Sequence, residues 1–216
     1  MAFAKKQTGT IVIKEPNFKV AILTIVGTSP YVSNRFSQEA REMMASDMAE
    51  GSTAKASKGR NKARPPKDFE AGFEGSMHKV NGSPGWIPAT SFKAALVRSC
   101  SVCGIDMTLA KQCLFVEPDA FDEEGIPLVK ITKGKPHRFD AYVRNMGGKP
   151  DIRSRAKWDA GWEVQLRIRF DADILTTEHV ASLVQRSGIS VGVGAGRNFS
   201  TASCGCGWGS FAIKED

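Results

Sequence analysis

The chain has 216 residues, 41% of them hydrophobic, which is enough for one core, and no break in composition separates two halves. A single domain spanning 1–216 is expected. The formal net charge of +7 and pI of about 9.2 suit a polyanionic partner, although an excess of this size also serves solubility alone. No run approaches the roughly 18 apolar residues of a membrane span, and Met1 to Lys14 lacks the apolar centre of a secretion signal. A soluble, cytoplasmic protein with no membrane partner is expected. Five cysteines, an odd count in a chain of this size, point to reduced thiols instead of a disulfide framework.

Phe18 to Val26 (FKVAILTIV) is β-branched and almost continuously apolar, the pattern of a strand covered on both faces. From Ser37 to Glu50 a polar helical pattern follows, with Ser37 as N-cap, Glu39 in the first turn and a narrow stripe of Met43, Met44 and Met48. Gly51 to Lys67 carries six basic residues, no acidic residue and no large apolar one, so it reads as a flexible basic loop. Residues 37–85 are therefore expected to form an insertion made of a helix and this loop.

Thr90 can cap a helix in which Phe92, Ala95, Leu96, Ser99 and Cys103 share one face, with Gly104 as its stop. Weaker strands are expected at Leu128 to Ile131 and Arg138 to Arg144, between Gly and Pro clusters. Trp162, Val164, Leu166, Ile168 and Phe170 alternate with Glu163, Gln165, Arg167 and Arg169, the period of a strand with one wet face. Thr177 can cap a last helix with Val180, Leu183 and Val184 inward and Gly188 as its stop, followed by a glycine-rich loop and a strand at Ser210 to Ile213. Without the insertion, and with one of the three strands between the two core helices left out, the order strand, helix, strand, strand, helix, strand predicts an α+β fold with a ferredoxin-like (RRM-like) βαββαβ core.

Two segments carry a family resemblance. Trp86 to Arg98 (WIPATSFKAALVR) supplies Ile87, Pro88, Ser91, Lys93, Leu96 and Arg98 at the start of the first core helix, and Gly188 to Gly209 is glycine-rich after the last. Both resemble the RAMP superfamily of CRISPR backbone subunits. The chain is also similar to a family of small bacteriophage proteins through Asn34 to Ser37, Asp151 to Arg155, Gly192 to Arg197 and Gly207 to Phe211. The resemblance implies an RRM-like core that binds single-stranded RNA or DNA as a repeated, head-to-tail subunit, in a bacterial host cell and without a small-molecule substrate.

The candidate nucleic-acid-binding residues fall into five groups. Lys55, Lys58, Arg60, Lys62, Arg64 and Lys67 lie on the basic loop, which either tracks a backbone or is simply solvated. Lys93 and Arg98 belong to the helix whose start offers unpaired N–H groups to a phosphate, or is ordinary helix initiation after a proline. Gly192, Gly194 and Gly196 permit close backbone approach to a polyanion with Arg197 as a bidentate grip, or form a plain connection to the last strand. Arg153 and Arg155 neighbour Trp158, a stacking ring or a core residue, and Arg167 and Arg169 occupy the wet strand face.

No cofactor is expected. Cys100 and Cys103 with Cys204 and Cys206 are a weak zinc pattern, because C-x-C is not the usual knuckle spacing. His78, His137 and His179 have no triad-like neighbours; His137 and Asp68 are the loose candidates for a RAMP-type endoribonuclease, and a non-enzymatic protein is expected. A phage structural protein that binds a host protein is the alternative of a different class.

Overall fold

The computed structural model describes residues 15–36, 38–49, 66–144, 150–200 and 205–215. Strands β1 (Phe18–Gly27) and β2 (Tyr31–Val32) lead to helix α1 (Gln38–Ala49), and helix α2 (Phe69–Gly75) precedes β3 (His78–Val80) and β4 (Ser83–Pro88). Helices α3 (Ala89–Cys100) and α4 (Met107–Cys113) run into β5 (Leu114–Glu117), β6 (Ala120–Phe121) and β7 (Pro127–Lys133). The antiparallel pair β8 (His137–Arg144) and β9 (Pro150–Trp158) is followed by β10 (Glu163–Asp171), α5 (Thr177–Ser190) and β11 (Phe211–Ile213).

These elements make an α+β fold with two antiparallel sheets. The larger runs β11-β1-β10-β7-β4-β3, with β5 also paired to β10 and β6 to β7; the smaller runs β2-β9-β8. The alternation of β10 is realised: Val164, Leu166, Ile168 and Phe170 are buried, whereas Gln165 and Arg169 are exposed. Helices α3 and α5 cover that buried face, with Phe92 and Leu96 from one and Val180, Leu183 and Val184 from the other in the same core. No helix among the described residues is long and apolar enough to cross a membrane.

Several expectations need correction. The apolar run of β1 is covered on one face only: Phe18, Val20 and Ile22 are 40%, 49% and 60% exposed, because both core helices lie on the other side of the sheet. Helix α3 begins at Ala89 with Pro88 as N-cap and no side-chain cap, so Thr90 sits inside its first turn. Thr176, not Thr177, caps α5 in a capping box with His179. Gly188 does not stop α5, which runs to Ser190; a Cβ there would stand 1.9 Å from the Phe211 carbonyl oxygen, so the glycine lets the helix lie flush on β11. The strand at Arg138 to Arg144 does not join the larger sheet; it pairs with β9, which pairs with β2 on its other side.

Of the expected insertion, residues 51–65 lie outside the described residues, and Phe69 to Gly85 folds as α2, β3 and the start of β4. Asp68 caps α2 by accepting from the N–H groups of Glu70 and Ala71, both at 2.9 Å. The exposed Met44 and Met48 agree with a peripheral α1.

Candidate nucleic-acid interface

Helix α3 is apolar toward the core and small and polar on its other side. Ser91, Ala94, Ala95 and Arg98 follow the i, i+3, i+4, i+7 spacing of one helix face and form one wall of a cleft of about 580 Å³. The opposite wall is the segment just after α5, Val191 to Gly194 with Arg197 and Phe199; Tyr31, Asn34 and His78 close one side. The two segments that carry the family resemblance therefore meet around one cavity.

The glycine pattern of that segment has a packing cause. Gly194 and Gly196 have φ of 80° and 66°, and a Cβ would come within 2.6 Å of Tyr31 and Val32 atoms at the first and 2.5 Å of the Trp208 ring at the second. Between them Val193 and Ala195 are buried, with Val193 N–H donating to Gly209 O and Ala195 N–H to Val32 O, both at 2.9 Å. Gly192, whose N–H donates to Ser187 O at 2.9 Å, turns the chain off the end of α5. The loop is thus stitched into its own core, which explains these glycines without a ligand.

Two guanidinium groups of the cleft have no carboxylate partner among the described residues. Arg98 stands over the Phe199 ring at 4.2 Å, a cation–π contact that bridges the two walls, and Arg197 donates Nη1–H to Gly194 O at 3.3 Å. Lys93 does not face the cleft; its Nζ lies 4.4 Å from the centre of the Phe115 ring, toward β5. Arg98, five residues further along the helix, is the basic residue of α3 that lines the cleft with Arg197.

The remaining candidates are spread over other surfaces. Arg167 pairs with Asp119 at 2.7 Å and donates to Pro118 O, while Arg169 pairs with Glu117 at 3.4 Å and lies over Phe18 and Phe115. The wet face of β10 is accordingly neutralised by carboxylates from and just after β5. On the second sheet, Lys67 pairs with Asp151, and Arg153 approaches Asp151 at 3.8 Å. Arg155 is half-buried, and burial, then Arg153, hold its guanidinium below the ordinary value. Trp158 is a core residue and offers no stacking face. Lys55, Lys58, Arg60, Lys62 and Arg64 lie outside the described residues, as does Cys204.

Cys100 is buried, and burial, with Cys103 and Cys113 nearby, pushes its thiol up to about 11. No group of metal-holding side chains occurs among the described residues. His137 is half-exposed, 3.7 Å from Asp159. The residue that sequence reasoning missed is His78, inside the cleft, since its neighbour Asp122 is remote in the chain and no local pattern joins them.

No family model matches the sequence, and no curated protein matches it. Among solved structures, the chain is similar to the crystal structure of Cmr6 from Pyrococcus furiosus, with 11% identity, a TM-score of 0.43, and coverage of 92% of this chain and 98% of that one.

Proposed function

We propose that this chain is a RAMP-type, phage-encoded, non-catalytic protein that binds single-stranded nucleic acid through the cleft between α3 and the post-α5 loop and assembles as a repeated subunit along the strand. The observation that carries this reading is the pair of guanidinium groups, Arg98 and Arg197, that share one cleft without an ion-pair partner among the described residues. Elsewhere the candidate arginines with nearby carboxylates are already partly neutralised, so the cleft is where an anionic backbone gains most. We read the core as ferredoxin-like. The elements β1, α3, β5, β10, α5 and β11 follow the βαββαβ order, and β11-β1-β10-β5 is the antiparallel sequence of neighbours in the sheet.

Repeated assembly calls for two different, complementary surfaces on each subunit. The open strip of Phe18, Val20 and Ile22 on the main sheet supports one, and Tyr142 on β8, 86% exposed, supports the other. The same strip favours the alternative of an interaction protein that docks a host protein. Fluorescence anisotropy of labelled single-stranded RNA and DNA over a salt series separates the two. The binding reading expects affinity that falls steeply with salt; salt-insensitive capture of one protein, with no strand binding at low salt, would replace it with the second.

A further inference from the structure

One side chain of the cleft, His78, belongs to neither motif. Its side chain is 8% exposed, and Nδ1 has no hydrogen-bond partner, standing 3.6 Å from Oδ2 of Asp122, whose side chain is 4% exposed and whose Oδ2 is likewise unpartnered. The other carboxylate oxygen, Oδ1, accepts from the N–H groups of Glu124 at 3.0 Å and Ile126 at 2.9 Å, which fixes Asp122 in its turn. Nδ1 and Oδ2 face each other just beyond hydrogen-bond distance, so the pair closes when Nδ1 carries a proton, and Nε2 is the nitrogen left for a ligand.

The start of α3 adjoins the same end of the cavity. Pro88 offers its first turn no capping side chain, and Pro88, Thr90 and Ser91 line the cleft together with His78. The positive end of a twelve-residue helix, two hydroxyl groups and an imidazole with a carboxylate behind it then converge on one volume.

We propose that the α3 end of the cleft is an anion site for a phosphate group in which His78 is a direct ligand, bound as the imidazolium with Nδ1–H directed to Asp122 and Nε2–H to a phosphate oxygen. This rests on the reading of the cleft as the nucleic-acid site and adds a titrating ligand to it. The groups that face His78 are Asp122 and Glu124 from the turn between β6 and β7, Arg35 from the segment after β2, and Arg98 and Arg197 across the cleft. Glu124 is itself paired with Arg35 and Arg41. Burial holds the imidazole below its ordinary value, Asp122 and, more weakly, Glu124 oppose this, and Arg35 adds to it. An anion at Nε2 favours the charged form, so binding takes up a proton, and affinity rises as pH falls through the raised value of the complex.

The test is an NMR titration of the imidazole rings of the full-length chain in sulfate, a tetrahedral anion that keeps its charge across the titration range of histidine, against chloride at matched ionic strength. The midpoint of His78 is expected to rise by about one unit, equivalent to tenfold tighter sulfate binding by the imidazolium form, while His137 and His179 stay in place. A short single-stranded oligonucleotide should move His78 in the same direction, and Asp122→Asn should shrink both shifts. If all three histidines respond alike, or if His78 responds to neither probe, the site is refuted. A His78 response to sulfate with no strand binding would keep the site and remove the proposed function. Strand binding with His78 unmoved would do the reverse.

Discussion

The guanidinium carbon of Arg98 stands 4.2 Å from the centre of the Phe199 ring, so a residue near the end of α3 and one beyond α5 are joined across the cleft by a single cation–π contact. The aromatic face holds the charge in place without neutralising it, which leaves its N–H donors for an anion.

Replacement of both Arg98 and Arg197 by Gln should reduce the slope of log affinity against log salt by roughly 1.4, since each phosphate contact on a single strand contributes about 0.7. The pair Arg167→Gln and Arg169→Gln, whose charges already meet Asp119 and Glu117, should alter it much less, as should Lys93→Gln over Phe115. Filter binding over a salt series measures all three. Equal losses would mean that only net charge matters and that the cleft has no special part.

Glycine tolerance should follow what lies beside each Cβ. Gly104 has φ of 72° and open space around it, so Gly104→Ala should cost only the left-handed conformation, about 1–2 kcal/mol. At Gly194 the same strain is joined by contacts of 2.6 Å with Tyr31 and Val32, and Gly194→Ala should cost about 3 kcal/mol or more. Urea unfolding of the two variants gives the comparison, and similar midpoints would show that the loop yields without cost.

Acid stability should depend on Glu163. Its carboxylate meets Lys133 at 2.9 Å and Lys214 at 3.0 Å, tying β10 to the end of β7 and to the chain after β11, and these two lysines hold it below the usual range. A depressed folded value contributes stability above the ordinary Glu value near 4.3 and loses it as pH falls through the folded one. The Tm difference between the protein and Glu163→Gln should therefore be full at pH 7 and shrink below about pH 4.3. A difference that stays constant to the acid limit of folding would mean that the lysines give Glu163 no preference for its charged form.

Much of the scaffold is legible in residue patterns, and the reasons for the misses are physical. The strict alternation of β10 and the apolar faces of α3 and α5 report burial directly, so those elements are found, with shifted ends: α3 stops at Cys100 and leaves Cys103 exposed beyond it. β9 is hidden because its inward positions are Ser154, Ala156 and Trp158 and its other side is basic, so hydrophobicity does not alternate as burial does. Strand β5 has only four residues and follows helix α4 without a break, giving no turn signal. The cleft is half legible. Its two segments stand out by composition, yet which face of α3 meets the loop depends on packing, and residue spacing alone does not separate Lys93 from Arg98.

The open strip on β1 gives the last prediction. Val20 and Ile22 project beside Arg169 and Arg167 on the face that no helix among the described residues covers, and a docked surface would bury their apolar area. Replacement of both by Thr keeps a β-branched residue at each position and hence the preference for a strand, while removing much of the apolar contact area. Because both sites are half-exposed or more, stability should change by no more than about 0.5 kcal/mol at each. Binding to a short oligonucleotide that holds one subunit should be unchanged, since the cleft lies on the helix side of the sheet. On longer oligonucleotides, sedimentation of the parent protein should give species that grow with strand length, and the double variant should give independently bound subunits with weaker filling. Undiminished growth in the variant would remove the strip from the subunit contact. A one-to-one complex of the parent protein at every length would remove the repeated-subunit reading itself.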